Sequence, residues 1–409
     1  MIKKVAIEEL QPGMHIERFD CGWLDHPFIF NSKRIKSEGD IERLKDWGVT
    51  HVYIEDGHNP PPVPVKIERE RPPPPVAFEH IVTPQTARVD RELRHIPIRH
   101  EIVRAQKVRQ RASQAAKNIL ADVRAGKKIQ TKEAETAVNE LDNSICHNKD
   151  ALFLLMRLRK KDEYTFDHSV SVGVLLLAFC RAMGFDQETT RTIGLGGLLH
   201  DVGKMAVPLS ILNKPGSLND DEFKKIQQHV IYCKEILATT HNISLPVAQI
   251  AMEHHERFDG TGYPHGLSGE AISLGGQMAA ITDVFDALTS DRCYRTGIDQ
   301  VEVLRKLYGW SHNHFNEELV HRFIRCIGVY PAGTLVQLES GLLGVVVEST
   351  DNLLRPVVRL IYDTRHDWAV SQKDIDLSKP HGKGGEDRII GYESAKRWRI
   401  NPLKVLGIT

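Results

Sequence analysis

Seven ionisable side chains, His168, His200, Asp201, His229, His254, His255 and Asp283, lie on or beside apolar stretches that read as helices. A small helical core does not hold that many imidazoles and carboxylates unless they pair with one another or share a cation. The region from about 150 to 330 is therefore expected to fold as helices converging on a polar centre. His168 precedes the run Val170 to Leu177, and His200-Asp201 closes Leu198-Leu199 just before Val202-Gly203-Lys204. His254-His255 opens a glycine-rich segment that ends in Tyr263-Pro264.

A lone His229 on the edge of the stripe Phe223, Ile226, Val230, Cys233 and Leu237 would read as a satisfied core residue, and the same holds for His168. The cluster changes that reading. Imidazole plus carboxylate without thiolate suits Fe, Mn or Zn rather than a cysteine-rich structural zinc or an all-oxygen calcium site. Adjacent residues on a helix point about 100° apart, so the pairs His200-Asp201 and His254-His255 are each expected to serve two metals. Asp201 would bridge the ions in a two-metal displacement at phosphorus.

Asp259-Gly260 and Gly262 allow a tight turn that approaches a ligand closely, with Tyr263 presenting its ring or hydroxyl to a phosphate or the loop serving only as a rigid turn. Downstream, Asp283 and Asp286 stand one helical turn apart, followed by Arg292 and Arg295 at the same offset. Arginine forks match phosphate oxygens or guanine edges, or pair with surface carboxylates.

Lys plus Arg, 54, equal Asp plus Glu, 54, which argues against non-specific binding to a nucleic acid polymer. The N-terminus lacks a signal-peptide core, and the longest apolar run is about half of the ~20 residues that span a bilayer. Cysteines at 21, 146, 180, 233, 293 and 326 are scattered, as in a reducing cytoplasm.

Residues 1–57 read as a small mixed α+β module: strands at 5–10 and 14–19 around Pro12-Gly13, a helix from Ser37 to Gly48, and a strand at 50–54. The proline-rich tract 58–88 reads as an extended linker. Residues 89–148 read as connecting or dimer-forming helices with a break at Gly126. Residues 149–330 form the helical catalytic domain, and one helix is expected from Asn219, capped by Glu222, through Leu237. Residues 331–409 carry β-branched runs at 335–338, 343–347 and 357–362 and read as a β-rich appendage. The fold class is thus mainly α with small mixed and β-rich flanks.

The motifs His200-Asp201-x-Gly203-Lys204, His254-His255-Glu256-Arg257-x-Asp259-Gly260-x-Gly262-Tyr263-Pro264 and Asp283-x-x-Asp286 through Arg295 resemble the HD-GYP family of HD-domain metal phosphohydrolases. The resemblance implies hydrolysis of cyclic di-GMP to linear pGpG, and on to GMP in some members, by a hydroxide bridging two divalent ions. It implies metal ligation by His168, His200, Asp201, His229, His254, His255 and Asp283, with His200, Asp201 and Lys204 in catalysis. Substrate contacts would fall to Asp162, Lys204, Tyr263, Asp286, Arg292 and Arg295, and a GGDEF-type signalling partner would dock on the GYP loop. Some members hold a third metal with a glutamate one turn before the first histidine. Tyr164 stands there in this chain, so two metals are expected, with Glu163 the nearest acid. Residues 1–57, either alone or together with the helices after the proline tract, resemble the small domain of unknown function that often precedes such modules. A slow nucleotide-binding adaptor and a phosphohydrolase of another nucleotide are the alternative readings.

Overall fold

The computed structural model describes residues 2–19, 33–35, 37–46, 49–55, 96–158, 164–212, 214, 218–290, 297–311, 313–379 and 387–408. The expected linker 58–88 and the residues Asp162, Glu163, Arg292 and Arg295 lie outside them, as does the side chain of Tyr164.

The N-terminal module pairs β1 (Ile2–Ala6), β2 (His15–Phe19), β3 (Lys33–Arg34) and β4 (His51–Glu55) in the antiparallel order β1-β4-β2-β3, with α1 (Glu38–Asp46) alongside. The first strand lies earlier than the expected 5–10, starting at Ile2 and ending at Ala6. Ile7–Glu9 turns into a 3-10 helix, because Ile7 leaves the pleat to bury itself among Leu10, Ile16, Leu44 and Val52.

Two long helices follow, α2 (Ile98–Arg124) and α3 (Thr131–Met156). They are expected to connect domains or to pair in a dimer; within the chain they form an antiparallel hairpin whose alanine-rich faces, Ala105, Val108, Ala112 and Ala116 against Ala134, Val138 and Leu141, belong to the same core as the helices that follow. Their apolar stripe is spent inside the chain. At Asn148 the backbone leaves helical geometry (φ −166°, ψ 103°), and the Asn148 amide donates to Ile96 O and to Glu348.

The catalytic region adds α4 (Tyr164–Ala182), α5 (Gln187–Leu199), a 3-10 turn at Val202–Ala206, α6 (Leu209–Leu212), α7 (Asp220–Gln227), α8 (His229–Ala238), α9 (Leu245–Glu253), α10 (Leu274–Thr289), α11 (Gln300–Trp310) and α12 (Glu317–Ile327). Helices α4 and α5 cross where a Cβ on Gly197 would fall 3.0 Å from Gly173 Cα, so glycine there sets the close approach of the His168 and His200 helices. The capping box at Asn219 and Glu222 is present. The helix it starts is not continuous to Leu237: it ends at Gln227, Gln228 caps it, and α8 starts at His229.

The C-terminal sheet has the antiparallel order β8-β7-β6-β5-β9, from β5 (Leu335–Leu338), β6 (Leu342–Glu348), β7 (Val357–Asp363), β8 (Trp368–Asp376) and β9 (Ile389–Glu393), before α13 (Pro402–Val405). Strands β8 and β9 escaped sequence reading. They form the two edges, and β8 is largely exposed, so it carries no alternating apolar face. Among the described residues no helix is long and apolar enough to cross a membrane.

Candidate metal centre

The seven ionisable residues that opened the sequence reading converge on one buried cluster. His200 caps the end of α5 and Asp201 starts the following turn; His229 opens α8; His254 and His255 follow α9; His168 and Asp283 face each other from α4 and α10. Three of the imidazoles are oriented by the same device. The Nδ1 of His200 bonds Gly197 O at 2.7 Å, that of His229 bonds Ile226 O at 2.6 Å, and that of His254 bonds Ala251 O at 3.0 Å. A carbonyl can only accept, so each Nδ1 carries the proton and each Nε2 lone pair is left facing inward. His168 Nδ1 lies 2.7 Å from Asp286 Oδ2 instead, and its Nε2 is 2.9 Å from Asp283 Oδ1.

The ligand atoms fall into overlapping triads, His168-His200-Asp283, His229-His254-His255 and His200-Asp201-His254, each with its atoms within 4.8 Å of one another. Asp201 stands between the first two. Its Oδ2 is 3.3 Å from His200 Nε2 and 3.5 Å from His168 Nε2, while its Oδ1 is 3.4 Å from His229 Nε2 and 3.8 Å from His254 Nε2. His254 and His255 share one triad, with ring centroids 4.1 Å apart, and His254 also belongs to the triad with His200 and Asp201.

Electrostatics set the protonation of this ligand set. Burial lowers His229 to about 4, and burial with repulsion from His200 lowers His254 to about 3. Burial opposes ionisation of Asp283, yet hydrogen bonding and charge from His168 hold it at about 2. Burial likewise opposes ionisation of Asp201, but Lys204, at 2.5 Å, and His200 keep it well below the usual range. For His168 burial pulls downward, and Asp283 and Asp286 outweigh it to give about 9. His229 and His254 are thus neutral beside ionised carboxylates, the state a cation requires, whereas His168 has a proton to release. Among the described residues, His200 Nε2, Asp201 Oδ1 and Asp283 Oδ2 are buried with no hydrogen-bond partner. Each such atom costs ~1–3 kcal/mol if left unsatisfied. With oxygen and nitrogen donors and no sulfur, the residues fit divalent ions.

The loop after His255 is held as a rigid wall. The Glu256 carboxylate accepts from His265 N–H at 2.7 Å and Leu267 N–H at 3.0 Å, Tyr263 N–H bonds His255 O, and Asp259 lies 3.1 Å from His314 Nδ1. The Tyr263 ring stacks on His255, 4.7 Å between centroids, with its hydroxyl buried against the cluster. Two expected substrate residues are engaged with members of the cluster. Asp286 is fully buried behind His168, where it can orient the ring and cannot reach a ligand. Lys204 is buried and engaged with Asp201. Sequence reasoning missed Glu256 as the loop anchor; a carboxylate next to two histidines ahead of a glycine-rich turn was the available signal.

A helical domain closing a buried cluster of histidines and aspartates around an adjacent His-Asp pair is the architecture of the HD domain, and that family matches residues 151–319. A domain of unknown function, DUF3391, matches residues 2–134. A cyclic di-GMP phosphodiesterase of Pseudomonas aeruginosa is 36% identical over 408 residues, covering 98% of this chain and 95% of that protein. A cyclic di-GMP phosphodiesterase of Thermotoga maritima is 33% identical over 195 residues, 47% of this chain and 52% of that one. A 3'3'-cGAMP-specific phosphodiesterase of Vibrio cholerae is 42% identical over 144 residues, 35% of this chain and 33% of that one. The chain belongs to the HD-GYP family of HD-domain phosphohydrolases. It is an enzyme of phosphodiester hydrolysis.

Proposed function

We propose that the protein hydrolyses cyclic di-GMP to linear pGpG, with further cleavage to GMP as the second step, at a centre of two Fe or Mn ions. The observation that carries the reading is Asp201, whose two oxygens face different triads. Bound divalent ions would supply Lewis-acid charge to the phosphate oxygens and make water a nucleophile at neutral pH.

The chain's own residues do the rest. His168, His200 and Asp283 would hold one ion, His229, His254 and His255 the other, with Asp201 shared. Asp286 and the three carbonyls behind the imidazoles keep the Nε2 atoms aimed, so little reorganisation is needed on loading. Lys204 keeps Asp201 ionised and brings positive charge next to where a phosphate would sit. Tyr263 and the GYP loop wall the pocket, and we assign the phosphate and base contacts to Arg292, Arg295 and Asp162 on the family motif. The loop's exposed residues, Thr261, His265 and Gly266 among them, are our candidate surface for a GGDEF-type partner. The buried thiols Cys180, Cys233 and Cys326 form no disulfide, which supports a cytoplasmic setting.

Substrate choice favours cyclic di-GMP because the relative matched along nearly its whole length bears that name, whereas the cGAMP-specific match covers about a third of either chain. Anaerobic incubation with each cyclic dinucleotide, followed by chromatography of the products, tests this. Faster cleavage of cyclic GMP-AMP would reassign the substrate, and binding of cyclic di-GMP without turnover would make the protein an adaptor.

A further inference from the structure

Cys233 lies four residues after His229 in α8, on the same helical face, and is fully buried. Its Sγ accepts from Gly203 N–H at 3.1 Å, and its thiol donates to the His200 carbonyl at 3.1 Å. One side chain thus ties both ends of the turn that carries Asp201 to the helix that carries His229. The packing around it is tight. A Cβ on Gly203 would fall 2.0 Å from His229 O and 2.9 Å from Cys233 Sγ, so only glycine lets the turn come this close.

We propose that Cys233 is a positioning residue of the metal centre. Its two hydrogen bonds fix the separation between the His168-His200-Asp283 triad and the His229-His254-His255 triad, and with it the ability of Asp201 to face both. A thiol that merely filled the core would need neither bond. The inference rests on the metal reading of the cluster given above.

The test compares full-length metal-free protein as wild type, Cys233→Val and Cys233→Ser, with Cys180→Ala as a control. Cys180 is a buried thiol about three turns beyond His168 in α4. Valine keeps the site apolar, adds about one methyl group and removes both bonds, alanine removes both bonds without the added bulk, and serine keeps a donor and an acceptor. Each is titrated with Mn2+ by calorimetry and electron paramagnetic resonance, alongside the Tm of the metal-free form. Cys233→Val should bind Mn2+ about 10–100-fold more weakly and lose the exchange-coupled signal of paired ions. Cys233→Ser should recover part of both, and Cys180→Ala should change Tm alone. Wild-type affinity and coupling in Cys233→Val overturn the proposal, as does equal weakening by serine and valine, which would mean packing alone matters. If the valine variant does not fold, Cys233→Ala takes its place in the same comparison. A wild type that binds no Mn2+ rejects the metal centre itself, and this inference with it.

Discussion

His168 Nδ1 and Asp286 Oδ2 are 2.7 Å apart, both fully buried, and the bond joins α4 to α10 directly behind the ligand cluster. A carboxylate behind an imidazole fixes the ring's tautomer and makes its other nitrogen a better donor to a cation. Asp286→Asn keeps an acceptor in place and removes the charge. We expect it to weaken divalent metal binding about 10–100-fold while the helical circular dichroism signal stays unchanged. Unaltered Mn2+ affinity would return Asp286 to a role in packing.

Proton release should accompany metal loading. Below about 9 His168 carries a proton in the metal-free protein, whereas His229 and His254, lowered to about 4 and about 3, do not. A cation must displace that proton, so affinity should rise with pH up to about 9 and then level off. The sign for stability is opposite. A histidine whose folded pKa is raised stabilises the metal-free fold below its unfolded value of 6.5, and that contribution is lost as pH climbs through about 9. Calorimetry of Mn2+ binding near pH 7 in buffers of different ionisation enthalpy reads the release directly. Heats that are independent of the buffer would contradict it.

Glu256→Ala should separate loop order from metal binding. The substitution removes the acceptor of the His265 and Leu267 backbone N–H groups and so loosens the wall that stacks Tyr263 on His255. Metal stoichiometry should hold while KM for the cyclic dinucleotide rises. Steady-state kinetics with parallel elemental analysis measures both. Loss of metal with an unchanged KM would place Glu256 in the metal centre instead.

The ligand cluster was legible because burying so many ionisable groups on apolar helices has few physical solutions, and all seven residues come together. The N-cap at Asn219 was legible too, since the capping box is local chemistry. What escaped the sequence depended on where elements stop. The break at Gln228 separates two segments that share one apolar periodicity. Asp286 was misassigned because spacing gives its face on α10 but not whether substrate or His168 occupies that side. Edge strand β8 could not be read, because its pairing with β7 is made by backbone groups beneath exposed polar side chains.

The account turns on Asp201 as the carboxylate shared by two ions. The most direct measurement is metal content by elemental analysis, paired with chromatography of cyclic di-GMP products, for anaerobically purified wild type and Asp201→Ala. Wild type should carry about two Fe or Mn per chain and yield pGpG. The variant should keep its helical signal, lose metal and form no product. Full metal occupancy with undiminished turnover in Asp201→Ala would contradict the account.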